Sequence, residues 1–357
     1  MLQQLYLKII RPGQNGTLTP VFLPARLLLF FLSIPYAAVT QIRSLMYRFQ
    51  LLKPTRSGIP TIAVGNITTG GTGKTPVVAW IVRQLQEQGH RPGIISRGYR
   101  SDASGTNDEL RVLERLCPGV PHVQNPDRIA AAREFEARGD VDVLVLDDAY
   151  QHRRIHRDLN IVLIDATCPF GHGYLLPRGL LRERGSALNR ADLCLLTRTD
   201  QVAGVDLEQT ELSIHRWATA LKGRQFRTQF TATSLLYADG SVEPLAAVSG
   251  KRAVVMAAIG NPDAFVGTCK AAQAEIVDRL FFPDHHHYLK EDLRAVSQAA
   301  DDQRADLILT TLKDMVKVDE ADPRLAAVMI ETSFPETSDS QIVRDILKRT
   351  TMMNCTD

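Results

Sequence analysis

Near one fifth of the way along this chain, a lysine and a threonine close a glycine-rich run, Thr68-Thr69-Gly70-Gly71-Thr72-Gly73-Lys74-Thr75. Such a run leaves few side chains in the way, so successive backbone N–H groups can converge on an anion. Lys74 would reach the β- and γ-phosphates of a nucleotide, and the Thr75 hydroxyl would ligate Mg²⁺. A second set of candidates is the carboxylate pair Asp147-Asp148, which ends the apolar run Val143-Leu144-Val145-Leu146. A carboxylate there would hold Mg²⁺ directly or through water. Arg178, Arg182 and Arg184 cluster around Glu183, a composition that suits a phosphate or the nucleotide as well as a solvated loop. The pattern points to phosphoryl chemistry.

These residues need particular elements to hold them. Thr61–Val64 reads as a buried strand before the loop, and Val77, Val78, Ile81, Val82 and Leu85 recur at helical spacing after it. Strand, glycine loop and helix in that order are the setting a phosphate-binding loop requires. Thr68 stands where the first glycine of the common pattern belongs. Thr69 occupies the position at which switch-type ATPases of this class carry a second lysine, which favours a transferase over such a switch. Gly93–Ser96, Asn160–Asp165 and Leu193–Thr197 supply further short strands between helical patterns. The implied fold class is α/β: a mostly parallel, phosphate-loop sheet with helices on both faces.

Past Phe226 the rhythm changes. Alternation to Ser234, a turn at Asp239-Gly240 and a return strand predict a β-hairpin linker over 226–250. A smaller α/β domain follows over 251–357, after a core over 56–225. Within it, Phe282-Pro283-Asp284-His285-His286-His287 is a second chemical cluster. A contiguous histidine run cannot easily turn three imidazoles onto one metal, so an Asp-His unit acting on a phosphate or a carboxylate is the better reading.

Residues 1–55 form a separate helical front end. No Asp or Glu occurs from Met1 to Gln86, whereas Lys8, Arg11, Arg26, Arg43, Arg48, Lys53 and Arg56 do. The uncharged Leu27–Val39 would extend only about 20 Å as a helix, short of the roughly 30 Å of a bilayer core. With arginines flanking a Leu/Phe face, this end is expected to contact a membrane, lying on it or anchored by a single helix, the alternative being a helix buried against the domain. The net charge of +2 on 357 residues implies no bulk attraction to nucleic acid. Five scattered cysteines without C-x-x-C spacing suggest reduced thiols in a cytosolic compartment.

Taken in order, Val64-Gly65-Asn66 with the loop and Pro76, Ser96-Arg97-Gly98-Tyr99, Asn107-Asp108-Glu109, Asp147-Asp148-Ala149-Tyr150-Gln151-His152, Leu181-Arg182-Glu183, Gly260-Asn261-Pro262, Phe282–His286 and Lys313-Asp314 resemble one family, the tetraacyldisaccharide 4′-kinases of lipid A synthesis. The resemblance implies transfer of the ATP γ-phosphate to the 4′-hydroxyl of an acylated glucosamine disaccharide 1-phosphate, giving the 4′-phosphorylated lipid A precursor. It also implies a position at the cytoplasmic face of the inner membrane, with no obligate protein partner. By the same resemblance Asp108 is the base and His285 its imidazole partner, acting with Lys74. Mg²⁺ is then expected on Thr75, Asp147, Asp148 and Glu183, and the acceptor at Asn66, Arg97, Tyr99, Arg128, Gln151 and His152. Ala149, Arg100 and Asn107 replace glycines usual in the family, and the loop 101–107 is shorter than its norm. The competing expectation is a membrane-associated ATPase that switches a protein partner.

Overall fold

Thr61–Asn66 (β1) is buried along its whole length, as a strand with a layer on either side must be. A computed structural model describes residues 2–10, 20–98, 108–284, 286–318 and 322–352. The chain divides into two compact units: the described residues of Met1–Gly98, Gly119–Gln229 and Ser333–Asp357, and those of Tyr99–Pro118 and Phe230–Thr332.

The first unit begins with helices α1 (Leu2–Ile10) and α2 (Leu23–Arg48), then β1 and α3 (Lys74–Glu87). β2 (Pro92–Ser96) precedes the segment assigned to the other unit, where α4 (Asp108–Leu116) lies. β3 (His122–Gln124), α5 (Arg128–Arg138), β4 (Val143–Leu146), β5 (Leu159–Asp165), β6 (Leu193–Thr197), α6 (Gly204–Trp217) and β7 (Gln225–Arg227) complete the sheet, ordered β3-β2-β4-β1-β5-β6-β7. Every neighbour pair in it is parallel. Ala131, Ala132 and Phe135 of α5 pack on Ile95, Leu144 and Leu146, and Leu207 and Ile214 of α6 pack in the cluster of Val162, Cys194 and Leu196. The expected phosphate-loop sheet is what the chain builds. Gly65 is required where Tyr150 crosses the end of β1, since a Cβ there would meet the Tyr150 nitrogen at 2.7 Å.

The second unit holds α4 with β8 (Gln229–Tyr237), β9 (Val242–Pro244), β10 (Arg252–Ala257), α7 (Pro262–Ala271), β11 (Glu275–Phe281), α8 (Lys290–Asp302), β12 (Leu307–Thr311), α9 (Leu312–Met315) and β13 (Leu325–Ser333). Its sheet runs β11-β10-β12-β13-β8-β9. β10, β11, β12 and β13 pair in parallel, and β8 with β9 is antiparallel.

Three expectations about organisation are corrected. The 226–250 hairpin exists, but it is not a linker. Phe226 lies in β7 of the first sheet, while β8 and β9 are strands of the second, because Leu235 and Leu236 bury into the clusters on its two faces. Val112 of α4 also buries in the second unit, beside Leu312 and Met315. The last helix, α10 (Thr337–Met352), belongs to the first unit: Trp80 packs on Phe334 at 5.0 Å, and Thr351 Oγ1 pairs with His90 Nε2 at 2.9 Å. α2 extends beyond the uncharged run Leu27–Val39 at both ends. Its 26 residues run about 39 Å at 1.5 Å per residue, so by length and composition it is long enough to cross a membrane. Proline at its start and Pro35 inside it do not end it.

Candidate functional site

The chain leaves β1 at Asn66 and enters α3 at Lys74 through Gly73, whose φ of 79° falls in the left-handed region. The loop between them is tied from outside. Arg182 N–H donates to Ile67 O at 2.7 Å, and Thr69 N–H donates to Leu180 O at 2.7 Å. Thr69 Oγ1 donates to the same carbonyl at 3.3 Å, so the backbone and side-chain donors of Thr69 both serve the loop rather than an anion. Arg198 Nη2 holds Gly71 O at 2.7 Å, and Thr197 Oγ1 holds Thr72 O at 3.0 Å. Because the peptide is trans and planar, pinning the Thr72 carbonyl sends the Gly73 N–H the opposite way. Thr68 and Thr72 are buried, and Thr72 Oγ1 has no partner among the described residues.

Charges converge on the same place from the ends of neighbouring strands. Lys74 Nζ lies 3.5 Å from Asp148 Oδ1. Arg182 Nη1 donates to both oxygens of Asp148 at 3.1 Å and to Gln151 Oε1 at 3.3 Å. Gln151 Nε2 in turn donates to Asn66 O at 2.8 Å. Burial pushes the Asp148 carboxyl up, but the Lys74 ammonium and the Arg182 guanidinium outweigh it, and the group ends below its ordinary value. Asp148 sits at φ 46°, a strained backbone for a residue with a Cβ. Asp147 beside it is buried, and its carbonyl accepts from Arg128 Nη2 at 3.3 Å. Asn66 is fully buried, with neither side-chain amide atom partnered among the described residues.

The other expected residues of this unit are distributed as follows. Arg128, at the start of α5, is buried and donates to Asn125 O at 2.6 Å. Burial, followed by the Arg128 charge, pushes His152 down to about 4. Arg97 is exposed at the end of β2, and Tyr99 lies outside the described residues. Glu183, expected as a Mg²⁺ ligand, has a different partner: Arg190 holds its two oxygens at 2.8 and 3.0 Å. Among the described residues no group of three or more His, Cys, Asp and Glu could by itself enclose a metal. The donor set that remains is Thr75 with two adjacent carboxylates, which suits Mg²⁺, an ion that takes few protein ligands and completes its shell with water and phosphate.

In the second unit Asp108 is the first residue of α4. Lys317 Nζ stands 3.9 Å from its Oδ2 and donates to Asp314 Oδ1 at 3.0 Å. Asp314 is fully buried and also accepts from Thr311 Oγ1 at 2.8 Å and Ala258 N at 3.1 Å. Burial first, and then Asp314, raise the Tyr288 hydroxyl above its ordinary value. Asp284 pairs with Lys313 at 3.2 Å, and His286 Nε2 with Asp292 Oδ2 at 2.8 Å. His285, expected beside Asp108, lies outside the described residues.

Sequence reasoning passed over Arg198, Arg190 and Lys317. Arg198 follows directly on β6, at the carboxyl end where α/β sheets present their ligand loops. Lys317 stands three residues after Asp314, one helical turn on.

Comparison with known proteins adds to this geometry. The sequence model of the family LpxK, described as tetraacyldisaccharide-1-P 4′-kinase, matches residues 25–349. Among relatives named tetraacyldisaccharide 4′-kinase, that of Syntrophus aciditrophicus is 37% identical over 83% of this chain and 85% of its own. That of Geobacter metallireducens is 36% identical over 84% and 91%. The crystal structure of the "apo" form of LpxK from Aquifex aeolicus in complex with ATP superposes with a TM-score of 0.75. At 24% identity it covers 92% of this chain and 99% of that one, a likeness of fold.

Proposed function

The chain belongs to the tetraacyldisaccharide-1-P 4′-kinase family, and we propose that it carries out that family's ATP-dependent 4′-phosphorylation, in lipid A biosynthesis, with the residues just described. The observation that carries the assignment of roles is the convergence of Lys74, Arg182 and an ionised Asp148 at the mouth of the glycine loop. Two cations around one carboxylate leave positive charge to spare for the β- and γ-phosphates. Arg198 and Thr197 keep the loop's shape before the nucleotide arrives, so little reorganisation accompanies binding.

Thr75, Asp147 and Asp148 would hold Mg²⁺, which supplies neutralisation of the phosphate charge when bound. Asp108 is the proposed base. A carboxylate within hydrogen-bond reach of the 4′-hydroxyl accepts its proton as the oxygen attacks the γ-phosphorus. His285 is its proposed partner. Asn66, Gln151, Arg128, Arg97, Tyr99 and His152 are proposed to meet the acceptor's sugar and phosphate groups. In this reading Lys74 acts on the transferred phosphoryl group and Asp108 on the attacking hydroxyl.

The front end is proposed to rest on the cytoplasmic face of the inner membrane. Exposed Leu28, Phe31, Ile34 and Val39 on α2 and the acid-free basic sequence around them support that placement. In a thin-layer assay with radiolabelled ATP and the disaccharide lipid, the protein should transfer label. Lys74→Ala and Asp108→Ala should each lower kcat by at least about a thousandfold. Full activity in Asp108→Ala would remove the base from this scheme.

A further inference from the structure

α2 has two faces. Outward it exposes Leu27, Leu28, Phe31, Ile34, Val39 and Ile42. Inward, at helical spacing, stand Tyr36, Arg43 and Tyr47, and each meets a segment that borders the nucleotide loop. Phe30 packs edge-on against Tyr174 at 6.5 Å. Tyr36 Oη donates to the Arg182 carbonyl at 2.9 Å. Arg43 lies 3.8 Å from Glu183, and Arg153 stacks over the Tyr47 ring at 4.2 Å. From α1, Tyr6 Oη reaches Pro177 O at 2.9 Å and Gly179 O at 3.1 Å.

The segment so held is the one that braces the phosphate loop. Leu180 O receives the Thr69 N–H, the Arg182 N–H goes to Ile67 O, and the Arg182 guanidinium grips Asp148 opposite Lys74. One residue, Arg182, thus carries a link to α2 on its carbonyl, a link to the loop on its N–H and a link to Asp148 on its side chain. Only glycine fits at position 179, since a Cβ there would meet Tyr174 O at 2.3 Å.

We propose that Tyr36 and Tyr6 are positioning residues of the nucleotide site: through Pro177–Glu183 they hold the phosphate loop in register, so that a lipid bilayer engaging the apolar face of α2 tightens ATP binding. The occupant of that face is a bilayer because the exposed side chains are aliphatic and aromatic and the flanking charges are all basic. The coupling is thermodynamic: ordering α2 on a surface orders the brace, and by linkage nucleotide binding strengthens surface binding equally. This proposal rests on the kinase reading for the identity of the nucleotide.

The test uses the full chain. Tyr36→Phe, which deletes one hydroxyl, should raise the KM for ATP about fivefold at saturating lipid, as expected for one lost hydrogen bond. The KM for the lipid and cosedimentation with vesicles should stay unchanged. Tyr6→Phe should move the ATP KM in the same direction, and Tyr237→Phe, in the second unit, should not move it. Separately, phosphatidylethanolamine–phosphatidylglycerol vesicles should tighten binding of a fluorescent non-hydrolysable ATP analogue several-fold in the wild type and not in Tyr36→Phe. An unchanged ATP KM in both tyrosine variants, or equal vesicle effects with and without the Tyr36 hydroxyl, overturns the proposal. The analogue-binding arm needs no phosphoryl acceptor. A wild type that binds nucleotide but leaves the disaccharide lipid unlabelled would therefore sink the kinase reading while this arm still scores the coupling.

Discussion

The two units handle charge in opposite ways. At the phosphate loop, Lys74 and Arg182 share a single half-exposed carboxylate, and Asn66 and Thr72 keep buried polar atoms with no partner among the described residues. Around Asp314, by contrast, the carboxylate is fully buried and accepts from a lysine, a hydroxyl and a backbone N–H. Buried polar groups in folded proteins are normally paired. Donors left over beside converging cations therefore mark where a ligand completes the structure. The saturated network around Asp314 instead supports the local fold under Asp108 and Lys317.

Breaking the saturated network should give the largest effect on stability. Asp314→Ala leaves the Lys317 ammonium, itself almost wholly buried, without its closest carboxylate. Removing one partner of a buried pair costs about 3–5 kcal/mol, to be read as a lowered urea midpoint. Replacing the pair together, as Asp314→Leu with Lys317→Met, should recover most of that loss. If the single variant is as stable as the wild type, the network does not bear on the fold in this way.

A change at the phosphate loop should behave differently, costing turnover more than stability. Arg182→Gln removes the guanidinium from Asp148 and from the transferred phosphate, and kcat should fall about a hundredfold. The unfolding free energy read from urea titration should fall by under about 1 kcal/mol, because this ion pair is partly exposed. A large drop in stability with unchanged kcat would reverse the contrast between the two regions.

How much of this was legible in the sequence follows from how local each feature is. β1, the glycine loop and α3 are contiguous, and the switch from an apolar run to helical spacing across Gly70–Gly73 places all three. Asp147-Asp148 is legible for the same reason, since Val143–Leu146 is short, apolar and buried throughout. The division into units was not, because it depends on contacts remote in sequence. Val112 of α4 buries beside Met315, and α10 returns to pack on the first unit through Phe334 and Thr351. The pairing of Glu183 with Arg190 was not legible because Arg190 lies beyond a loop whose course composition does not specify. The length of α2 was hidden by Pro24 and Arg26. The structure places Pro24 in the first turn, and the buried Arg26 donates from Nε to Ile9 O at 2.7 Å, a carbonyl that α1 supplies.

The smallest expected effect concerns pH, and it arises in the first unit alone. Burial, with Arg128 nearby, pushes both His122 and His152 down to about 4 from an ordinary 6.5. Above pH 6.5 each is neutral folded and unfolded, and the fold has its full stability. As pH falls from 6.5 towards 4, the unfolded chain takes up protons that the folded imidazoles do not, so stability declines across that window. The depressed carboxylates, Asp148 among them, lose their contribution only at lower pH, below about 4. His122 is the cleaner case because it is held inside the fold, with Nε2 2.8 Å from Ser96 Oγ. Its share of the loss at pH 5.5 is on the order of 1 kcal/mol. His122→Gln should therefore flatten the decline in thermal midpoint between pH 7 and pH 5 while leaving the steeper fall below pH 4 in place. An acid profile identical to the wild type's in that variant would mean that the His122 imidazole charges as readily in the folded protein as in the unfolded chain.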